Sequence, residues 1–571
     1  MKMKLKYGVL RLNISRKKER YCTLLFIVGL IAIAAFAVWK ARFGFGGADE
    51  AFYLSVPYRM FKGDKLFVNE WHGSQLSAFI LYPIFKAYML LFKTTEGIIL
   101  NFRYIYIFVN AAVSAVVYSR LRQFGVPGAV AVLTYFIFVP FNLSSLSYNS
   151  IGLMCVLLSA TLVGTNYKKS KSVSFFAGIS FALAVLCQPL LIVFFVLGSA
   201  MLIAFSVIKK KRWIRGYMFF LAGCVAAAIP VIVYLLREVG VQRLVESIGY
   251  IMSDPEHGQG TLASLKSFAM SYLHYRFIDG FAVGIPVLAG LNCLLNKKGK
   301  DSSIVLILSF ALAIYLSVKL STLDHNKYIN YLFVPLTGMG FVAIFNVRDR
   351  KILRLYAVTA VFSVAHFFSF ITSNQYSTIM STALIPIATA SVIVCWEAVF
   401  ENKKGMNRVP GTAAKVLLVL AIALNFSALV HFRYNYVFNM RTRIQTNLHE
   451  NGCYRGVYSS LYEHGVIDDG IKDFREQGLA DKDNVLIYSN RTCFALECSG
   501  TLSQYSAWLS GMNSSSESRL KAYYRANPDK RPKYVYICKD EAAFWNYDVP
   551  SWASARGYTV NETDFSYVIV M

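Results

Sequence analysis

Charge is scarce in this sequence. Only 16% of its 571 residues are Asp, Glu, Lys or Arg, against about 25% in an ordinary soluble domain. Acidic residues are the scarcer kind, 32 against 59 basic ones. Apolar residues reach 56%, above the usual ~45–50%, and a soluble cytosolic enzyme is excluded on that balance. Glycine and proline are not enriched and aromatics make up 15%, which excludes a disordered chain. Among the 10 cysteines there is no CxxC spacing, so the commonest structural zinc site is not expected.

The net charge of +27 invites a nucleic-acid reading, but its placement removes that reading. After residue 432 the chain holds 16 basic and 16 acidic residues, so the whole excess lies before it. That earlier part is built of apolar runs. A helix needs roughly 20 mostly apolar residues to span a bilayer. About thirteen runs qualify: Tyr21 to Trp39, then near 96–118, 126–143, 150–166, 173–189, 190–208, 216–236, 277–295, 302–320, 328–346, 355–373, 376–399 and 413–432. The pair at 173–208 is broken only by Gln188-Pro189.

Basic clusters fall at alternate connections, among them Lys2 to Arg20, Lys168/Lys169/Lys171, Lys209 to Arg215 and Arg348 to Arg354. Cytoplasmic loops carry such clusters. Residues 1–20 are therefore expected in the cytoplasm. Residues 21–432 form the transmembrane domain of a multi-pass plasma-membrane protein, and an odd number of spans puts 433–571 outside. A cleaved signal peptide ending near Gly44–Ala48 is disfavoured, because the orientation needs the first span. Nucleic acid is not an expected partner.

The tail reads as a small α/β domain. Short β-rich runs occur at 484–488, 533–537 and 566–570, with helix-like stretches near 464–477 and 514–526. Its four cysteines, Cys453, Cys493, Cys498 and Cys538, permit two disulfides in three pairings.

Two outside loops stand out as places for chemistry. The first, 41–95, carries Asp49-Glu50-Ala51-Phe52-Tyr53 beside the membrane exit, then Arg59, Gly63-Asp64 and Glu70-Trp71-His72-Gly73-Ser74-Gln75. Adjacent acids there are costly unless used or solvated. A plainer role is a helix start capped by Asp49, with Glu50 near the positive end of the helix dipole. The apolar stretch 74–92 carries Pro83 and Lys86 and is expected to lie along the interface. The second loop, 237–276, holds Asp254-Pro255-Glu256-His257-Gly258-Gln259-Gly260 and reads as a mobile cover. No cofactor is required. A divalent metal held by Glu70, His72 and His257 is the weaker alternative, since such groups on wet loops usually face water.

The motif Asp49-Glu50-Ala51-Phe52-Tyr53 with Arg59 and Gly63-Asp64 resembles the first outside loop of the GT-C glycosyltransferases, in particular the protein O-mannosyltransferase and aminoarabinose-transferase superfamily. Arg103, in Asn101-Phe102-Arg103-Tyr104, fits the arginine that enters the second span in that family. Lys327 to Pro335, with Tyr331, resembles a later basic-Tyr-Pro pattern, with lysine where the family has arginine. A point charge there replaces a two-pronged donor. Trp71 to Gln75 stands where many members have paired prolines.

The resemblance implies a GT-C-like helical fold and transfer of a sugar from a polyprenyl-phosphate carrier to a lipid, protein or glycan acceptor outside the cytoplasm. The configuration at the anomeric carbon would invert. Asp49 would be the general base, with Glu50 orienting it or binding acceptor. Arg103, Lys327 and Arg59 would hold the leaving phosphate. Tyr53, His72, Gln75, His257 and Tyr331 would line the substrate cavity. Plainer roles are snorkelling for Arg103 and Lys327 and a solvated helix face for Arg59. The competing functions are a transporter or flippase of lipid-linked glycans and an assembly protein whose tail binds a partner. Spans nearly free of central charge count against transport.

Overall fold

The computed structural model describes residues 16–208, 214–252, 266, 276–320, 331–370, 379–401, 408–437, 440–509 and 514–571. Ten described helices are long and apolar enough to cross a membrane. Nine of them coincide with expected spans, from Glu19–Lys40 to Pro410–Asn435. The tenth is Gln75–Phe92, the segment expected along the interface, which length and apolarity admit as a span as well. The other four expected runs form shorter apolar helices, Val126–Ile137, Lys171–Cys187, Leu191–Ala204 and Val334–Asn346. Large apolar side chains such as Phe108, Met201, Val225 and Val361 are exposed, as they are on helices solvated by lipid. The chain is a polytopic helical membrane protein with a small C-terminal sheet.

Local chemistry explains the breaks. The helix Lys171–Cys187 stops at Gln188-Pro189, and the next begins at Leu191, because proline disfavours helical backbone at the residue before it. The helix Tyr148–Thr165 starts on a reciprocal cap between Ser147 and Ser150. Gly178 and Gly223 let Lys171–Cys187 and Ile214–Tyr234 touch backbone to backbone: a Cβ on Gly178 would meet the Phe220 carbonyl at 1.9 Å.

The C-terminal sheet has four strands. Val485–Tyr488 runs parallel to Tyr534–Cys538, which pairs antiparallel with Ser566–Val570, and Thr559–Glu562 closes the edge antiparallel to that. Three of these strands and the helices Leu461–Glu476 and Ser514–Ala526 were expected from sequence. Thr559–Glu562 was not, because its residues are mostly exposed and polar. The sheet is covered on both faces. Val485, Ile487 and Tyr536 pack with Ile467, Ile471 and Phe474 of the helix Leu461–Glu476. Leu486, Val535 and Ile569 pack with Leu520, Tyr523 and Trp71. Trp71 comes from the first loop, so loop and tail share a core.

Backbone hydrogen bonds reinforce that junction. Gly44 N–H donates to Tyr458 O (2.7 Å), Tyr458 N–H to Arg42 O (2.7 Å), Ile99 N–H to Cys453 O (3.1 Å) and Trp71 N–H to Tyr505 O (2.7 Å). The disulfides that the four tail cysteines permit are not formed: Cys453, Cys493, Cys498 and Cys538 are free and buried, inside a core that packing already closes. The second loop is not a loose cover where it is described. Val241–Met252 is a helix whose Tyr250 stacks on Trp71 at 4.5 Å. Its acidic, glycine-rich part lies outside the described residues.

Candidate active site

The first loop leaves its span through Gly44, which has φ +96° and no room for a side chain: a Cβ would meet Val437 at 2.1 Å. Only glycine combines that conformation with that approach. The helix Gly47–Phe61 follows. Its N-cap is Gly46, with no side-chain cap, so Asp49 does not cap the helix as anticipated. It lies in the first turn instead, beside Glu50, where the dipole favours both negative charges.

The two acids meet different surroundings. Asp49 is half-buried and accepts a hydrogen bond from the Tyr53 hydroxyl at 3.2 Å. Tyr148 meets Tyr53 edge-on at 5.7 Å. Burial pushes the Tyr53 phenol well above its ordinary pKa, and the Asp49 carboxylate adds to the shift, so Tyr53 stays a donor. Glu50 is 2% exposed. It receives Arg103 through two bonds of 2.6 Å, from Nε to Oε1 and from Nη2 to Oε2. Arg103 also donates to the carbonyls of Ala41 (2.7 Å), Phe43 (3.4 Å) and Gly44 (2.7 Å). Its donors are engaged in holding the loop, and in this arrangement none is turned to a phosphate.

Arg59 is likewise committed. The residue is 2% exposed, not on a solvated face. It bonds Asp64 (2.7 Å), Glu70 (2.8 Å), Asn69 O (2.6 Å) and Gln504 O (2.9 Å). Lys530 closes on Asp64 from the tail at 2.5 Å. Burial opposes the Arg59 charge, and the two carboxylates more than offset it, so its pKa moves up. Glu70 then positions two segments. Its Oε1 accepts His72 N–H (3.2 Å) and its Oε2 accepts Ala507 N–H (3.2 Å). Glu70 is thus engaged by Arg59 and by two backbone N–H groups, and His257, its suggested co-ligand with His72, lies outside the described residues.

What Glu70 positions is an aromatic wall. The His72 ring lies 4.6 Å from Phe52 and 6.5 Å from Trp508, and Phe52 meets Trp508 edge-on at 5.7 Å. Phe52 and Tyr53 sit three and four residues after Asp49, so the three share a helix face. Two buried donors, Trp508 Nε1 and Gln75 Nε2, have no partner among the described residues, although Gln75 Oε1 accepts Phe67 N–H at 2.8 Å. Buried donors seldom remain unpaired, and both are suited to a polar ligand. Sequence reasoning missed Tyr148 and Trp508, since each reaches the site from a distant segment.

It also missed two buried cations. Lys40 ends the first span and donates to Tyr434 O (3.1 Å) and to Thr442 Oγ1. Arg433, in the last span, donates to Ser144 Oγ (3.1 Å) and Asn142 Oδ1. Each is 3% exposed, and neither has a carboxylate partner among the described residues. Arg433, Ser144 and Asn110 line a small cavity of about 10 Å³, whose other walls include Ile33, Phe36, Ile107 and Ile137. Segment 142–148 reaches both regions, touching Arg433 through Asn142 and Tyr53 through Tyr148. Positive charges at the ends of the first and last apolar runs were the available signal. Tyr331 is buried in the helical core, and Lys327 lies outside the described residues.

No family model matches this chain, and no curated protein matches it in sequence.

Proposed function

We propose that the protein is a membrane glycosyltransferase of the GT-C kind. In this reading it moves a sugar from a polyprenyl-phosphate donor to an extracytoplasmic acceptor, with inversion. The observation that carries the proposal is the contrast between Asp49 and Glu50. Glu50 is locked to Arg103, whereas Asp49 is half-buried beside a hydroxyl and an aromatic wall. A general base needs such rigid placement with access.

The reaction would be one displacement. Asp49 accepts the proton of the acceptor hydroxyl as its oxygen bonds to the anomeric carbon. The bond from that carbon to the phosphate oxygen breaks on the opposite face, and the lipid phosphate leaves as an anion. His72 and Trp508, partly exposed and backed by the buried Phe52, would offer flat faces to a sugar ring, and Gln75 Nε2 and Trp508 Nε1 would offer donors to its hydroxyls.

The leaving phosphate needs positive charge, and Arg103 and Arg59 are occupied. Arg433 and Lys40 take that role in this proposal, with Lys327 as a third cation. Unpaired buried cations are expensive unless an anion joins them, and the apolar walls beside Arg433 suit an isoprenoid tail. The cavity has room for about one water, so a lipid would part its walls. In this proposal the N-terminus is cytoplasmic and the C-terminal domain outside, which the alternating basic clusters support when Gln75–Phe92 lies along the interface.

The test is mass spectrometry of surface glycans and glycolipids from a deletion strain carrying wild type or Asp49→Asn at equal membrane levels. A one-sugar mass difference that wild type restores and Asp49→Asn does not is the expected result. Full restoration by Asp49→Asn overturns the base assignment and favours transport or assembly.

A further inference from the structure

We propose that His449, His464 and Asp468 bind one divalent transition cation of the zinc class, at a site separate from the sugar-transfer centre. The three residues offer ligand atoms lying within 4.8 Å of one another. Two sit on one face of the helix Leu461–Glu476, four residues apart, a spacing that brings side chains together. The third comes from the hairpin that pairs Asn447–Leu448 with Tyr458–Ser459.

The geometry is close to a coordination shell. His449 Nδ1 is 2.5 Å from Asp468 Oδ1, and His464 Nε2 is 3.2 Å from Asp468 Oδ2. Zinc bonds of about 2.0–2.1 Å in a tetrahedron set ligand atoms roughly 3.4 Å apart. The two imidazoles face different oxygens of Asp468, so one cation is held either by both oxygens or by one after a small turn of the carboxylate, and His464 Nε2 exchanges its 3.0 Å contact with Leu448 O for the metal. The other ring nitrogen of His449 meets Ser459 Oγ at 2.8 Å, the kind of outer bond that fixes the orientation of a metal-bound imidazole. His449 is 1% exposed, while His464 and Asp468 keep 30% and 24% of their side chains exposed. A cation therefore has a way in, and a water can fill the fourth position. Two imidazoles and a carboxylate suit zinc and its neighbours rather than magnesium or calcium.

The location gives the cation a structural task. It would pin the hairpin to the helix one residue from Tyr458, whose backbone bonds both Arg42 and Gly44. The same hairpin holds Tyr454, which packs against Phe45 at 5.1 Å. The site thus braces the carbonyl-lined turn that Arg103 grips. This inference does not depend on the transferase reading.

The test uses the full chain in detergent, stripped with a chelator and titrated with zinc by calorimetry and with cobalt by absorption. The expected result is one equivalent bound, with tetrahedral cobalt bands and a raised unfolding midpoint. The partly exposed pair His464→Ala and Asp468→Asn should lose both the binding and the zinc-dependent rise in midpoint, whatever the metal-free midpoint becomes once their contacts with His449 are gone. No uptake by the wild-type chain, or undiminished uptake by that double variant, overturns the proposal. If the double variant does not fold, His464→Gln alone is titrated, and unchanged affinity overturns it.

Discussion

Arg103 grips Glu50 through two parallel hydrogen bonds of 2.6 Å while its remaining donors hold the carbonyls of Ala41, Phe43 and Gly44. One arginine from the helix Ile98–Leu121 thereby fixes the turn that launches the helix carrying Asp49. With Asp49 as the proposed base, catalysis and scaffolding would be divided between two neighbouring acids, and that division can be measured.

Asp49→Asn is expected to lower transfer by about 10²- to 10⁴-fold, the usual worth of a positioned base, with an unchanged unfolding midpoint. Tyr53→Phe removes the 3.2 Å bond to Asp49 together with the hydroxyl's bonds to Asn149 and Tyr148, leaves the carboxylate in place and should cost less. Initial rates with purified protein, read beside thermal unfolding, check both.

Glu50→Gln and Arg103→Ala should behave differently. Each leaves a buried partner uncompensated, a loss of about 3–5 kcal/mol. Both variants should show reduced folded yield and faster proteolysis within 41–95. A fully stable Glu50→Gln that loses only turnover would instead place Glu50 in the chemistry.

Arg433 and Lys40 invite a test in which stability and donor binding move apart. If they await a lipid phosphate, Arg433→Gln should keep or raise the unfolding midpoint while raising the KM for donor. A fall in stability with unchanged KM would make Arg433 a packing residue.

Trp71→Ala removes the ring shared by the loop, the tail and the helix Val241–Met252. A loss of about 3–5 kcal/mol is expected, as for other buried aromatics. Hydrogen exchange should rise in the tail near Tyr505 and Tyr523 as well as in the first loop.

Gly44→Ala should be among the least tolerated small changes in the loop. Its Cβ would enter Val437 while the backbone holds φ +96°. Pairing it with Val437→Ala relieves the clash but not the strain, so folded yield should recover only in part.

The membrane helices were legible because apolarity is a local property, summed along a run without knowledge of neighbours. The break at Gln188-Pro189 was legible for the same reason. The strands at 485–488, 534–538 and 566–570 stood out as short β-rich runs, whereas Thr559–Glu562 has an exposed edge pattern with no such signature. Asp49 and Glu50 were singled out as adjacent acids at the membrane exit, and Tyr53 from the resemblance of their motif to the GT-C first loop; in the structure Asp49 and Tyr53 are in contact. The partners of Arg59 and Arg103 were not legible, because a buried charge is defined by what faces it.

The sequence by itself determined that this is a multi-span membrane protein ending in a mixed helix-and-strand domain, since hydropathy and periodicity are written along the chain. Only the tertiary structure decided which charges are spent on one another. Arg103 finds Glu50, Arg59 finds Asp64 and Glu70, and Arg433 and Lys40 have no described carboxylate, because ion pairing acts through space over a few ångströms and is blind to distance in sequence.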